Sequence, residues 1–541
     1  MVSDAGAFGQ PCERRLKRTN SGAAAVSNQA IAGIFGSHPR GLYVCFLTEM
    51  WERFSYYGMR AILIFYLTRH FLLSDQASIA IFGAYASLVY AGPVIGGLIA
   101  DRYLGFRKAV TLGAVLLVLG HFGMAFEGAP AVERMAADGT RFVDRDPFYL
   151  QIMFLSLALI AVGVGFLKPN ISTIVGALYE QGDPRRDSAF TIFYMGINIG
   201  AATASLACGY LGETYGWKYG FGLAGIGMLF GLLVFLRGQK YLEGHAEPRD
   251  PERLKEKVFA GLNREHLIYL GALAAVGVAW YLVQNNAYIG HLLSGFGVIV
   301  VGGIMIFAFF SCDGVERDRM LVAMALTAFS VLFWSLFEQA ASSLNLFADR
   351  NVDRTLFGYE IKASMFQSLN PTFIILLAPV FSMLWVGLAR RKLEPSTPVK
   401  FALGLIQAGL GFLALVFGAQ FAGEDHAVAM IWLVAAYFLH TTGELCVSPV
   451  GLSMITKLSV RRVVGMMMGV WFLSNAAAHY IAALIAAGTS AETIGGVVAD
   501  PARSLATYVD VFEYIGIVGV LAGVVVLGLS PILRRAMHGV H

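Results

Sequence analysis

Residues 42–70 read LYVCFLTEMWERFSYYGMRAILIFYLTRH. The stretch is long enough to cross a bilayer as one helix, yet its apolar run is broken by Glu49, Glu52, Arg53 and Arg60. At about 100° per residue, Glu49, Glu52, Arg53, Tyr56, Tyr57 and Arg60 fall within an arc of ~140°. A charge at bilayer depth costs about 2.5–3.5 kcal/mol even on lenient insertion scales. The charged face must therefore look into protein or a wet cavity. An ion pair that only locked the helix to its neighbours would need fewer polar groups than this stripe carries.

The rest of the chain supplies the setting. Of 541 residues, 57% are hydrophobic and only 14% charged, with a mean hydropathy of +0.64. Soluble domains carry about 25% charged residues, so the solvent here is a bilayer. The 61 glycines suit close helix packing in lipid. A net charge of +4 without a basic cluster on any soluble segment excludes a nucleic-acid partner. Cys12, Cys45, Cys208, Cys312 and Cys446 lie far apart without CxxC spacing, which fits packing residues and neither a disulfide framework nor a zinc site.

Apolar runs of spanning length lie at 42–70, 76–100, 109–127, 148–179, 188–211 and 219–236. Two more follow at 266–284 and 292–311, and six at 321–347, 362–388, 401–422, 427–456, 463–488 and 508–533. The reading is an all-α integral membrane protein with about fourteen spans, grouped six, two and six. Lys and Arg crowd into 237–264, Arg390 to Lys392 and Lys457 to Arg462, all on the side of the N-terminus. Positive-inside bias then puts both termini in the cytoplasm. Arg14, Arg15, Lys17 and Arg18 precede a weakly apolar Ala/Gly/Ser stretch, which reads as a cytoplasmic tail and not a cleaved signal. The expected organisation is a tail over 1–41, a six-helix bundle over 42–239, a linker with an extra helix pair over 240–320, and a second bundle with a short tail over 321–541. The pair at 266–311 carries no charge at membrane depth, so it is expected to stand outside the working path.

Besides Arg69 at the very end of the first run, four of the 40 basic residues are left inside spans: Arg53, Arg60, Lys168 and Lys362. Lys362 opens a span and can reach the interface. Lys168 cannot, because apolar residues run well past it on both sides. It precedes Pro169 and follows Gly163 and Gly165, where a loosened helix can line a cavity. Its expected partners are Glu49 and Glu52. Glu444 has His440 and Ser448 one turn away on either side, and Glu338 follows Trp334 by one turn. Neither carboxylate has a base near in sequence, so each must find one on another helix or bind a proton. His121, His440 and His479 read as hydrogen-bonded packing residues. The chain shows no nucleophile–base pair, metal-ligand cluster or phosphate loop, so neither an enzyme nor a metal site is expected. A receptor would have little use for so many opposed charges at membrane depth.

Glu49-x-x-Glu52-Arg53 followed by Phe54-x-Tyr56-Tyr57-Gly58 resembles the first-helix motif of the proton-dependent oligopeptide transporter family, within the major facilitator superfamily. Gly97 to Lys108, Phe166-Leu-Lys168-Pro169-Asn170 and the segment around Asn198 resemble further motifs of that family, although Ala202 replaces a larger apolar residue. Phe333-Trp334 with Glu338, Phe366 to Pro371, and Glu444 to Gly451 resemble its later helices. The similarity covers residues 40–535.

The resemblance implies a major facilitator fold, two six-helix bundles plus the inserted hairpin, in the inner (plasma) membrane. It implies a proton-coupled symporter of di- and tripeptides, expected to act as a monomer, with protons as coupling ion and no organic cofactor. The same fold carrying another solute, an anion or a peptide-like drug, is the alternative. A short peptide is a zwitterion and needs fixed groups for both ends. Arg53 and Lys168 can hold its carboxylate, and Glu444, with Asn370 beside it by resemblance, its ammonium. Tyr56, Tyr57, Tyr90, Asn198, Trp334, Ser448 and Trp471 complete the expected binding set. Glu49 and Glu52, with Arg53, Lys168 and Glu444, are the expected proton-coupling groups. Arg60 and Glu338 are expected to pair across the bundles as a gate.

Overall fold

A computed structural model describes residues 38–180, 182–259 and 261–540. The expected tail, with Cys12, falls almost wholly outside those residues. Fourteen long helices run through the described part: α1 Arg40–Phe65, α2 Asp75–Ile99, α3 Phe106–Met124, α4 Pro147–Ala177, α5 Arg185–Tyr215, α6 Trp217–Gly238, α7 Arg264–Gln284, α8 Ala287–Ser311, α9 Gly314–Phe337, α10 Leu369–Arg390, α11 Thr397–Ala419, α12 Met430–Leu458, α13 Val464–Ala487 and α14 Pro501–Ala536. By length and composition thirteen helices are apolar enough to cross a membrane. α1 stays out of that class because of Glu49, Glu52, Arg53 and Arg60.

Polar caps fix several helix starts. Ser74 Oγ accepts the Ala77 N–H, Asp146 accepts that of Phe148 ahead of α4, and Asn263 accepts that of His266 ahead of α7. Such caps satisfy donors that the first turn leaves free. The same device makes α14 longer than its apolar run. Asp500 caps it, Pro501 takes the first helical position, and the helix starts well before 508. Widened turns at Tyr66–His70 and Ala100–Leu104 end α1 and α2.

Two expected spans differ from the structure. The apolar run 321–347 breaks after Phe337 into a tight turn over Glu338–Ala341 and a short helix Ser343–Arg350. Glu338, Gln339, Ser342 and Ser343 cluster there, and such groups compete with the helix for backbone partners. Gln339 Nε2 donates to Ala482 O at 3.0 Å, and Ser343 Oγ donates to Gln339 Oε1 at 2.6 Å. The run 362–388 likewise opens as a tight turn over Ala363–Ser368 before α10 begins.

The helices group as α1–α6 and α9–α14. α1 packs on α5 and α6, and α4 on α3 and α2; in the second group α11 lies against α14 and α12, and α9 against α13. α2 and α4 approach closely, because a Cβ at Gly96 would strike the Gly165 carbonyl. The two bundles meet through α2 against α13 and α5 against α10. Ser87 Oγ donates to Ala476 O at 3.1 Å across that seam. α7 packs on α4, whereas α8 touches α9 and α13, so the inserted hairpin contacts both bundles.

The bundles are tied most heavily at the end where α1 finishes. Arg350 Nη1 and Nη2 reach Asp75 Oδ2 and Oδ1 at 2.6 and 2.7 Å, and Arg69 pairs with Asp349. Glu213 Oε1 accepts the Ser364 N–H at 2.9 Å. Asn345 Nδ2 donates to Ala61 O at 3.0 Å.

Candidate functional site

Between the bundles lies a cavity of about 190 Å³. The first bundle contributes Tyr57 and Arg60 from α1, Tyr90 from α2, and Tyr194, Ile197, Asn198 and Ala201 from α5. The second contributes Trp334, Phe337 and Glu338, then Gln367, Asn370 and Pro371, and from α12 Tyr437, His440, Glu444 and Ser448. Seven of the expected binding residues therefore surround one space: Tyr57, Tyr90, Asn198, Trp334, Asn370, Glu444 and Ser448.

Glu444 is held by its own bundle. Asn370 Nδ2 donates to Glu444 Oε2 at 2.8 Å and to Thr441 Oγ1 at 3.1 Å. No cation pairs with Glu444 among the described residues, and the residue borders the cavity. Across the cavity Arg60 pairs with Glu338, joining α1 to the break after α9. His479 Nδ1 stands 3.6 Å from the same Glu338 oxygen. The His479 ring lies on Tyr90, centroids 4.3 Å apart, and Lys168 Nζ sits 4.2 Å from the Tyr90 centroid. These groups connect Lys168 to Arg60 through one continuous set of contacts.

Arg53 stands apart from this space. Its Nε lies 3.1 Å from Glu49 Oε1 and also pairs with Glu52, and all three side chains are buried. Arg53, Glu49, Glu52, Tyr56 and Lys168 form the layer behind the cavity wall and are absent from its lining. Lys168 makes no ion pair with Glu49 or Glu52 in this structure; its contact is the face of Tyr90. Trp471 is buried against Gly451 and does not line the cavity. Asn198 reaches the cavity, although its side chain donates to Tyr194 O on its own helix at 3.0 Å.

Sequence reasoning missed Tyr194, Gln367 and Tyr437 in the lining, and took His440 and His479 as packing residues. His440 does both, with Nε2 3.1 Å from Ala408 O while the residue borders the cavity. His121 is buried on α3 away from that lining. Among the described residues no group of three or more His, Cys, Asp or Glu could hold a metal ion.

A model of the POT family matches residues 107–498. The chain belongs to the POT family. It is 38% identical to the uncharacterized transporter YclF of Bacillus subtilis over 96% of this chain and 100% of that protein. It is 34% identical to dipeptide and tripeptide permease A of Edwardsiella piscicida, over 93% of this chain and 96% of that one. A crystal structure of a peptide transporter POT in complex with sulfate superposes with a TM-score of 0.77, at 36% identity, covering 93% of this chain and 97% of that one. This POT member is a multi-pass membrane transporter with the major facilitator architecture, and transport, not catalysis, is the work of its family.

Proposed function

We propose that this POT member imports di- and tripeptides by proton-coupled symport across the inner membrane, as a monomer with both termini in the cytoplasm. The observation that carries the reading is the opposed chemistry of the cavity. A carboxylate fixed by Asn370 faces it from one bundle, Arg60 borders it from the other, and Arg53 and Lys168 stand in the layer behind that wall. A zwitterion spanning the two would draw the bundles together, which is alternating access around a site between them. At about 190 Å³ the cavity is smaller than the ~300–1,000 Å³ usual for ligand pockets, so the walls part to admit a peptide.

Glu49 and Glu52 supply the coupling in this reading. Each shares Arg53. A peptide carboxylate arriving at Arg53 and Lys168 competes for that guanidinium, and the displaced glutamate takes up a proton from the outer solution. Release inside reverses both exchanges. Each charge carried down the membrane potential contributes about 2.3 kcal/mol per 100 mV, enough for better than tenfold accumulation.

Counterflow of labelled dipeptide in liposomes, with and without an imposed proton gradient, tests the proposal. Exchange in both cases with net accumulation only under the gradient is expected. Absence of dipeptide exchange, or uptake indifferent to the gradient, overturns it.

A further inference from the structure

A second hollow lies outside the transport cavity, on the flank of the first bundle. α7 rests on α4, burying Ala272 beside Phe166 and Val276 and Ala279 beside Ala158. It stands off from α2, and the gap is a groove of about 540 Å³ lined by Ile95, Ile99, Phe166, Leu267, Gly271 and Ala275, among others. Its rim faces the surrounding lipid: Ile95 is 63% exposed and Leu98 beside it 53%. Water finds no polar partners along such walls, and the filling that a bilayer offers is an acyl chain.

One end of the groove is charged. Arg264 opens α7 and lines the hollow. Its Nη2 lies 2.9 Å from Glu256 Oε2, while its Nε is buried without a hydrogen-bond partner. Tyr103 lines the same hollow with the Arg253 guanidinium 5.9 Å from its ring centroid. Among the described residues no carboxylate pairs with Arg253. Exposed Lys257 directly precedes Val258, a further lining residue. The neighbouring charges cancel in pairs, Arg249 with Asp101, Lys255 with Glu252, Arg264 with Glu256 and Lys108 with Glu265. Arg253 and Lys257 against the carboxylate of Asp250 therefore leave this end positive, and basic pockets between membrane helices bind anionic headgroups.

We propose that the groove is a phospholipid site: one acyl chain lies between α2, α4 and α7, and an anionic headgroup rests on Arg264, Arg253 and Lys257. The site is independent of the transported solute. Gly271 provides a clean way to close it, because a Cβ there meets nothing within 4 Å and a larger side chain would grow into the hollow.

The test is native mass spectrometry of protein taken from nanodiscs of mixed phosphatidylglycerol and phosphatidylcholine. Wild type should retain one tightly held phosphatidylglycerol. Gly271→Trp should lose that lipid while keeping dipeptide counterflow, which certifies its fold. Arg253→Gln with Lys257→Gln should keep a lipid but lower the preference for phosphatidylglycerol about tenfold or more, since each cation near an anionic headgroup adds roughly a fivefold factor. Equal retention of phosphatidylglycerol in wild type and Gly271→Trp overturns the proposal. So does an unchanged headgroup preference in the double variant, or a wild-type dimer that Gly271→Trp dissolves, which would make a second copy the occupant.

Discussion

Asp75→Asn should open the end of the molecule where α1 finishes. Asp75 begins α2 in the first bundle, and both of its oxygens meet Arg350 at 2.6 and 2.7 Å. Oδ2 also accepts the Ala491 N–H at 2.8 Å. Arg350 and Ala491 both belong to the second bundle, so one carboxylate closes two contacts across the seam. The side chains of Arg350 and Asp75 are 6% and 1% exposed. Removing one partner of a buried pair costs about 3–5 kcal/mol, because the remaining charge is left without compensation. Asparagine keeps the shape and one acceptor, which places the cost near the lower figure, about 3 kcal/mol. That cost falls on the state closed at this end, since in an open state both groups meet water. The closed population should fall roughly a hundredfold relative to the open one. Electron–electron resonance between spin labels at Gln76 and Phe357, both exposed, reads the separation directly. The variant should show a longer distance, and Asp75→Arg with Arg350→Asp should recover part of the shorter one. A distance distribution identical to wild type, with an unchanged thermal midpoint, would refute the assignment of this pair as a latch.

Three further outcomes are expected. Arg60→Gln and Glu338→Gln should each depress dipeptide uptake but couple by more than about 1 kcal/mol in a double-mutant cycle; additive effects would remove the gate. Glu52→Gln should abolish accumulation driven by a pH gradient while dipeptide counterflow survives, and wild-type levels of both would move the coupling proton to another group. Glu444→Gln should weaken binding of a free dipeptide about tenfold to a hundredfold, the loss of one charge-assisted contact, and leave an N-acetylated dipeptide unaffected; equal losses for both ligands would contradict an ammonium at Glu444.

The charged stripe of α1 was legible because a spanning helix punishes every charge that does not face inward. Its internal detail was not. Helical periodicity puts Arg53 and Arg60 on one face, but only three dimensions show that Glu49 and Glu52 occupy Arg53 while Arg60 crosses to Glu338. The break after Phe337 was hidden because the largely apolar letters on either side, Val331 to Phe337 and Leu344 to Phe347, carry the run across the polar Glu338, Gln339, Ser342 and Ser343. Tyr194, Gln367 and Tyr437 join the cavity through helix crossing, which leaves no periodic mark in any one segment. Asp75 and Arg350 lie 275 residues apart, just outside their apolar runs, where charge is ordinary and carries no signal. The phospholipid groove is quieter still, being built from apolar letters that any membrane helix could carry.

The hairpin of α7 and α8 has a mechanical meaning. α7 is seated on α4 of one bundle, and α8 touches α9 and α13 of the other, where Gly290 sits against the Tyr480 ring. Bundle, α7, α8 and bundle thus form a closed linkage in parallel with the seam between the bundles. When the halves rock, the linkage must give at one of its joints: the α7–α4 seat, the turn at Asn285–Asn286, or the sparse α8 contacts. The sparsest joint yields first, so α8 should slide while α7 rides with its bundle.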